Sequence, residues 1–145
     1  MKKDVIIKFH GLNSIDDSDV DKTEFMTTGS FFEKNSKYYL QYDEITEEEP
    51  EKTSTTLKID GNKVTVLRYG KNNNTQLIVE KGKKHLCLYD TPYGAISIGI
   101  VAKDVFVDIG EHEGKIKLHY GVEYNNVLTG RNKLDLSFEE VAQSE

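Results

Sequence analysis

His85 and Cys87 have the side chains and the spacing that a catalytic base and its nucleophile require. A thiolate is a strong nucleophile, and a neighbouring histidine can take up its proton. On a β-strand, residues two apart share a face, so the two side chains would lie side by side. The sequence supplies neither a third group to orient the histidine nor an oxyanion hole. We therefore predict a buried or wall-lining thiol and a protein that is not an enzyme, with a Cys/His hydrolase as the remote alternative.

The motifs that would hold a metal ion or a cofactor are incomplete or absent. An EF-hand loop beginning at Asp17 needs Gly at its sixth position and Glu at its twelfth, but these positions hold Lys22 and Thr28. The single cysteine excludes a multi-cysteine zinc site and an intramolecular disulfide. The sequence has no G-x-G-x-x-G motif and no P-loop. We predict no metal and no cofactor.

Arg68 is the most informative polar residue of the sequence. It follows Val64 and Val66 with a period of two, so its side chain starts on the apolar face of a strand. A buried arginine needs a carboxylate or a bound anion, because an unpaired buried charge is costly. The alternatives are a structural ion pair, a side chain that reaches out into solvent at the strand end, and a contact with an anionic ligand. Three carboxylates have a matching phase and are candidate partners: Glu24, Glu80 and Asp90.

The composition indicates an all-β protein of one domain, residues 1–145. The 145 residues include 11 Val, 11 Ile, 11 Thr and 8 Tyr but only 3 Ala. β-branched and aromatic residues suit strands, whereas Ala is the best helix former. Apolar residues alternate with polar ones in several segments, as in Ile116, Leu118 and Tyr120. Leu86 and Leu88 likewise share a face, which we expect to be buried.

Turn residues divide the chain into about ten predicted strands. The best hairpin signal is Gly61-Asn62, because glycine supplies the positive φ of a two-residue turn. So many one-sided strands must bury their apolar faces together, and an antiparallel up-and-down barrel of 8–10 strands does so without free edges. A two-sheet sandwich is the rival. The predicted strands are 3–12, 20–34 with a bend at Gly29, 37–46, 53–60, 63–70, 75–80, 85–91, 95–109, 115–125 and 131–140.

The charge and the N-terminus limit the partners and the compartment. The formal net charge is −6, whereas nucleic-acid binders usually present a basic patch, so we predict no nucleic-acid partner. The first apolar stretch ends at Ile7, well short of the roughly 7–15 residues of a signal-peptide core. No run approaches the roughly 20 apolar residues of a membrane-spanning helix. We therefore expect a cytoplasmic protein that does not bind membranes.

Four short segments within about residues 4–138 carry a resemblance to a known family. They are 27–32 (TTGSFF), 38–42 (YYLQY), 66–70 (VLRYG) and 89–94 (YDTPYG). They resemble the YwiB-like family of small bacterial proteins, a domain of unknown function with a calycin-like (lipocalin-like) β-barrel. The resemblance implies this barrel and a cytoplasmic protein, and it carries no binding residues over to this chain.

Two functional hypotheses follow. The first is a non-enzymatic, lipocalin-like barrel that binds a small molecule, because barrels of this size can hold one ligand. Its candidate ligand-binding residues, at one mouth of the barrel, are Arg68, Tyr89, Thr91 and Tyr93. The second is a solid-core barrel that acts as a protein-interaction or assembly module, for example as a homodimer. Its candidate contact residues lie out of phase with the apolar faces: Phe32, Tyr39, Tyr69 and Phe106.

Overall fold

In a computed structural model, the chain forms ten β-strands that close into one barrel. The structure describes residues 2–16, 19–44, 53–70, 74–91 and 94–141. Each strand is antiparallel to the next along the chain, and β10 pairs with β1 to complete the ring, which confirms the predicted up-and-down barrel and excludes the sandwich. None of the described residues forms a helix that could span a membrane. The strands are β1 (Lys3–Asp16), β2 (Asp19–Lys34), β3 (Lys37–Glu44), β4 (Thr53–Asp60), β5 (Lys63–Tyr69), β6 (Thr75–Glu80), β7 (Lys84–Thr91), β8 (Gly94–Ile109), β9 (Glu113–Tyr124) and β10 (Val127–Glu140).

The strands β1 and β10 depart most from the predicted bounds, since each is four residues longer than the sequence predicts, and both extend at the same end of the barrel. The segment 130–132 has turn-forming residues, yet it lies inside β10. The β9–β10 ladder shifts its register between Leu128 and Gly130, and glycine inside a strand commonly marks such a bulge. The turn before β10 is formed by Asn125 and Asn126, whose φ values of 52° and 64° suit a two-residue hairpin.

Inward-facing aliphatic side chains fill the middle of the barrel. Burying each of them contributes roughly 1.5–3 kcal/mol relative to leaving it exposed. The alternation predicted for β9 is confirmed, since Ile116, Leu118 and Tyr120 are all buried. The largest fully buried side chains include Ile7, Leu40, Leu57, Ile59, Ile100, Ile116 and Leu118.

The expectation that Leu86 and Leu88 are buried is wrong. They are 75% and 66% exposed on the outer face of β7, while Cys87 between them is buried. The three residues Leu86-Cys87-Leu88 are all apolar, so the local sequence permits either face to turn inward. The ladder with β8 decides the phase, because Cys87 lies opposite the buried Ile98.

The barrel has two distinct rims. At one rim β3, β5 and β7 end and β4, β6 and β8 begin, and we call this rim the mouth. At the opposite rim, the predicted turn at Gly61 joins β4 to β5, with a φ of 62° at the glycine. The candidate residue Arg68 lies one position before the end of β5, close to the mouth.

Candidate functional site

Arg68 is the centre of a row of polar side chains just inside the mouth. Its neighbours across the sheet are Thr55 on β4 and Thr75 on β6, and both threonines are buried. Directly opposed residues in a sheet project from the same face, so the arginine side chain starts on the inner face, as predicted from its phase. The row continues to Tyr42 on β3 and Tyr89 on β7.

Two further side chains join this row from the other side of the barrel. Tyr120 on β9 is buried opposite Asn132 on β10. Burial raises the pKa of the Tyr120 hydroxyl, while a hydrogen bond with Asn132 and the positive charge of Arg68 act to lower it. Tyr89 acts to raise the pKa of the Tyr120 hydroxyl. Side chains from β5, β7, β9 and β10 therefore lie close enough to influence one another. We call the whole set the mouth layer: Tyr42, Thr55, Arg68, Thr75, Tyr89, Tyr120 and Asn132.

The hydroxyl of Thr55 is an unused polar group within the mouth layer. The residue is 2% exposed, and its Oγ1 has no hydrogen-bond partner in the described part of the chain. A buried hydroxyl without a partner costs about 1–3 kcal/mol, so such groups usually meet a ligand or a water molecule. The Nε of Arg68 is buried as well. The layer therefore places a buried hydroxyl next to a guanidinium group whose Nε is buried.

An apolar floor lies beneath the mouth layer. Two positions deeper on each strand, an apolar side chain or the Cys87 thiol points inward, and most of these side chains are fully or nearly buried. A ligand would thus rest at the mouth with its polar group on the layer, rather than extend along the barrel axis. The floor residues are Leu40, Leu57, Val66, Leu77, Cys87, Leu118 and Leu134.

Two grooves lie elsewhere, on the outer surface around β1, β9 and β10. Their volumes are about 330 and 660 Å³, and they share Lys8, Lys115 and Ser137. Both are open to solvent and are lined by exposed side chains of both charges, including Glu113 and Asp135. Charged groups that remain solvated contribute little to binding, so these grooves are weaker candidates than the mouth layer.

The structure brings together two of the four predicted site residues, Arg68 and Tyr89. Thr91 ends β7 and pairs with Gly94, but its side chain lies outside the described residues, as does all of Tyr93. Sequence reasoning missed Thr55, Thr75, Tyr42, Tyr120 and Asn132. Their phase was the available signal, because each lies two positions from an apolar inward residue of its own strand and so shares its face.

Two of the three predicted carboxylate partners of Arg68 lie elsewhere. Glu24 is exposed, and its Oε1 lies 3.2 Å from Nε2 of His10. Glu80 lies at the far end of the β5–β6 ladder from Arg68 and contacts His85 at 2.9 Å. Those two predictions are wrong, because phase along a strand does not tell how far along the barrel a side chain lies. The side chain of Asp90 lies outside the described residues.

The contact between His85 and Glu80 supplies the orienting group that the sequence did not reveal for a Cys–His pair. Nevertheless the geometry opposes a nucleophilic role for Cys87. The residue is 6% exposed, and burial raises the pKa of its thiol, so the protonated form is favoured at neutral pH. Its Sγ accepts a hydrogen bond from the backbone N–H of Ile78 at 3.4 Å. Among the described residues, no group of three His, Cys, Asp or Glu side chains could hold a metal ion.

The burial of Tyr120 predicts a stability loss at alkaline pH. In the unfolded chain the hydroxyl ionises near pH 10, whereas the folded state keeps the proton to higher pH. The stabilisation is complete below about pH 10 and is lost as the pH rises through the folded pKa. In urea unfolding from pH 8 upwards, we expect Tyr120→Phe to reduce this loss and to cost about 0.5–1.5 kcal/mol at neutral pH. Tyr69→Phe, at an exposed position, is the control, and equal alkaline slopes for Tyr120→Phe and the unmodified protein would contradict the burial of this hydroxyl.

Comparisons with known proteins assign the chain to a family. The model of "Domain of unknown function (DUF1934)" matches residues 7–136. The chain belongs to this family. It is 27% identical over 140 residues to the "Uncharacterized beta-barrel protein YwiB" of Bacillus subtilis (strain 168), with 96% of each chain covered. This confirms the resemblance seen in the four short segments.

A solved structure supports the fold of this family member independently. The crystal structure of the YwiB protein from Bacillus subtilis matches with a TM-score of 0.83 at 21% sequence identity. The match covers 97% of this chain and 94% of the other. At this identity the likeness establishes the shared barrel fold.

Proposed function

We propose that this protein is a non-enzymatic, cytoplasmic binding protein that holds a small anionic molecule in the mouth of its barrel. The single observation that carries the proposal is the buried hydroxyl of Thr55, which lies beside Arg68 and has no hydrogen-bond partner among the residues that the structure describes. A hydroxyl and a guanidinium on adjacent strands can donate hydrogen bonds to the same oxyanion.

The surroundings of Arg68 favour an anion over a neutral ligand. The guanidinium group carries a positive charge and five N–H donors, which suit a negatively charged oxygen acceptor. Tyr120 and Asn132 add neutral polar groups, and Tyr89 adds an aromatic ring that is partly exposed at the rim. Carboxylate, sulfonate and phosphate groups all fit this chemistry, with the remainder of the ligand resting on the apolar floor.

A binding titration tests this proposal. We expect the protein to bind 8-anilinonaphthalene-1-sulfonate, an anionic aromatic probe, and Arg68→Met to weaken its affinity by at least about tenfold. Loss of a charge-assisted hydrogen bond costs about 1.5–3 kcal/mol, and 1.4 kcal/mol corresponds to a factor of ten. Probe fluorescence measured against protein concentration gives the two dissociation constants.

The sequence offers a matched control, because it contains a second arginine. Arg131 is exposed on β10, so Arg131→Met removes the same charge away from the inner face. Equal affinities of Arg68→Met and Arg131→Met would contradict the mouth site. Native mass spectrometry of protein purified from its own host would then show whether a small molecule is retained and what its mass is.

The second candidate function is a protein-interaction or assembly module. Its support is the exposed leucine pair, Leu86 and Leu88, on the outer face of β7. Exposed apolar patches on soluble proteins are often contact surfaces. Of the four contact residues predicted from sequence, Tyr69 and Phe106 are exposed, while the other two, Phe32 and Tyr39, stack on each other with ring centres 4.9 Å apart. A dimer that persists in dilute solution and dissociates on Leu86→Ser would favour this function.

A further inference from the structure

The boundary between β6 and β7, which we call the seam, is the weakest junction of the described barrel. Within the described residues of the two strands, only Thr75 and Tyr89 form a ladder pair. By contrast, β5 and β6 are paired continuously from Lys63 opposite Glu80 to Arg68 opposite Thr75. The described residues of the seam thus form far fewer ladder pairs than those of the β5–β6 junction, and regular backbone hydrogen bonds accompany such pairs.

A sulfur atom replaces a backbone acceptor in the middle of the seam. The N–H of Ile78 donates to Cys87 Sγ, and sulfur is a weak acceptor. At the turn, the N–H of Lys83 donates to the carbonyl of Glu80 at 3.1 Å. The two strands of the seam are therefore joined at the turn between them and at the Thr75–Tyr89 pair near the mouth. Between these two points lies the weak hydrogen bond from Ile78 to Cys87. Segments with few backbone hydrogen bonds open locally at a fraction of the free energy of global unfolding.

The mouth layer crosses this seam. Arg68 on β5 is opposite Thr75 on β6, and Thr75 is opposite Tyr89 on β7. The pair that holds the mouth end of the seam is thus part of the candidate site itself. If the seam opens, Tyr89 moves away from Arg68 and the mouth layer is divided.

We propose that the closed seam is the binding-competent state and that an anionic ligand in the mouth layer holds the seam closed. The inference rests on the proposed function, because it concerns the regulation of the same site. A ligand that contacts both sides of the seam binds the closed state better than the open state, so it must shift the population toward closure. Ligand release and seam opening are then coupled.

Cys87 is a built-in reporter of seam opening, because it is the only cysteine and is buried in the seam. We would measure its modification by 4,4′-dithiodipyridine, a neutral reagent that does not compete for an anion site. Without ligand, we expect modification to be faster than global unfolding extrapolated from denaturant. At a free concentration of 8-anilinonaphthalene-1-sulfonate about ten times its dissociation constant, modification should slow about tenfold.

The outcomes separate this inference from the proposed function. If the probe binds in an Arg68-dependent manner but the modification rate of Cys87 is unchanged, the seam is not coupled to the site, and the proposed function stands. If modification occurs only at the global unfolding rate, the seam does not open locally and the inference is wrong. If the protein without any substitution does not bind 8-anilinonaphthalene-1-sulfonate, the proposed function fails and the inference fails with it.

Arg68→Met supplies the internal control. In this variant the probe at the same concentration should slow the modification of Cys87 by no more than about twofold, because its affinity is at least about tenfold weaker. Hydrogen exchange gives a second readout that does not depend on thiol chemistry. The amide of Ile78 should exchange faster than amides in the long β1–β2 ladder, and the probe should slow it selectively.

Discussion

Leu57→Ala should lower the free energy of unfolding by about 2–5 kcal/mol, the range found for large-to-small changes in a packed core. Leu57 is fully buried between Leu40 and Val66 in the ladders on either side of it. Alanine removes apolar contacts and leaves a cavity that strands fixed in a closed ring cannot readily collapse to fill. Urea unfolding followed by far-ultraviolet circular dichroism gives the difference.

Leu86→Ala is the matched control for this prediction. It makes the same chemical change on the outer face of β7, where the side chain already contacts water, so we expect a difference within about 0.5 kcal/mol. A similar loss of stability for both variants would mean that Leu86 is covered in solution, as in an assembly. A negligible loss for Leu57→Ala would mean that the barrel interior is not close-packed.

Gly29→Ala should destabilise the fold by about 1–3 kcal/mol or more, the cost of overpacking a filled interior. Gly29 lies in β2, where it is opposite Val5 on β1 and Tyr42 on β3. A Cβ atom at this position would clash with the backbone oxygen of Gln41 and lie 2.7 Å from Ile7 Cδ1. Because one of the clashing atoms belongs to the backbone of β3, the clash can be removed only if the β2–β3 ladder itself shifts.

Gly110→Ala is the control for the glycine substitution. The nearest atom to a Cβ at Gly110 is the backbone oxygen of Glu113 at 3.5 Å, an ordinary contact distance. We expect this variant to be neutral or more stable by up to about 1 kcal/mol, because alanine restricts the unfolded chain. Thermal unfolding of both variants measures the contrast, and equal stabilities would argue against the close strand approach at Gly29.

The strands were predictable because their signal is local. A period-two pattern such as Ile116, Leu118 and Tyr120 depends only on which side chains alternate, and the barrel preserves that alternation. Turn residues such as Gly61 also act locally, through their own backbone conformation. The least reliable boundaries were those of β1 and β10, where residues with turn propensity are held in strands by their neighbours.

The period-two pattern did not predict which side chains face inward where both faces of a strand are apolar. In Leu86-Cys87-Leu88, the leucines are the larger hydrophobic residues, yet the cysteine is buried. The ladder with β8 orients the strand as a unit, so its neighbours determine which face turns inward. A single strand in isolation contains no such information.

The candidate site was only partly predictable. Arg68 stood out because a charged residue on an apolar face is unusual in one strand by itself. The phase of Thr55, Tyr120 and Asn132 indicates only that they face inward. They meet Arg68 because β4, β9 and β10 belong to the same closed ring. The weakness of the β6–β7 seam has no sequence signal that we identify, since it is a matter of hydrogen-bond geometry.

By itself, the sequence determined the all-β class, most of the ten strands and the inward position of Arg68, because these follow from alternation and turn chemistry along the chain. Only the tertiary structure decided which side chains share a level in the barrel, which leucines face solvent and where the ring is weakly joined. The physical reason is that the register of the strands and the closure of the barrel depend on pairing between different strands. A pattern along one strand sets the face of a side chain, and pairing with the next strand sets its neighbours.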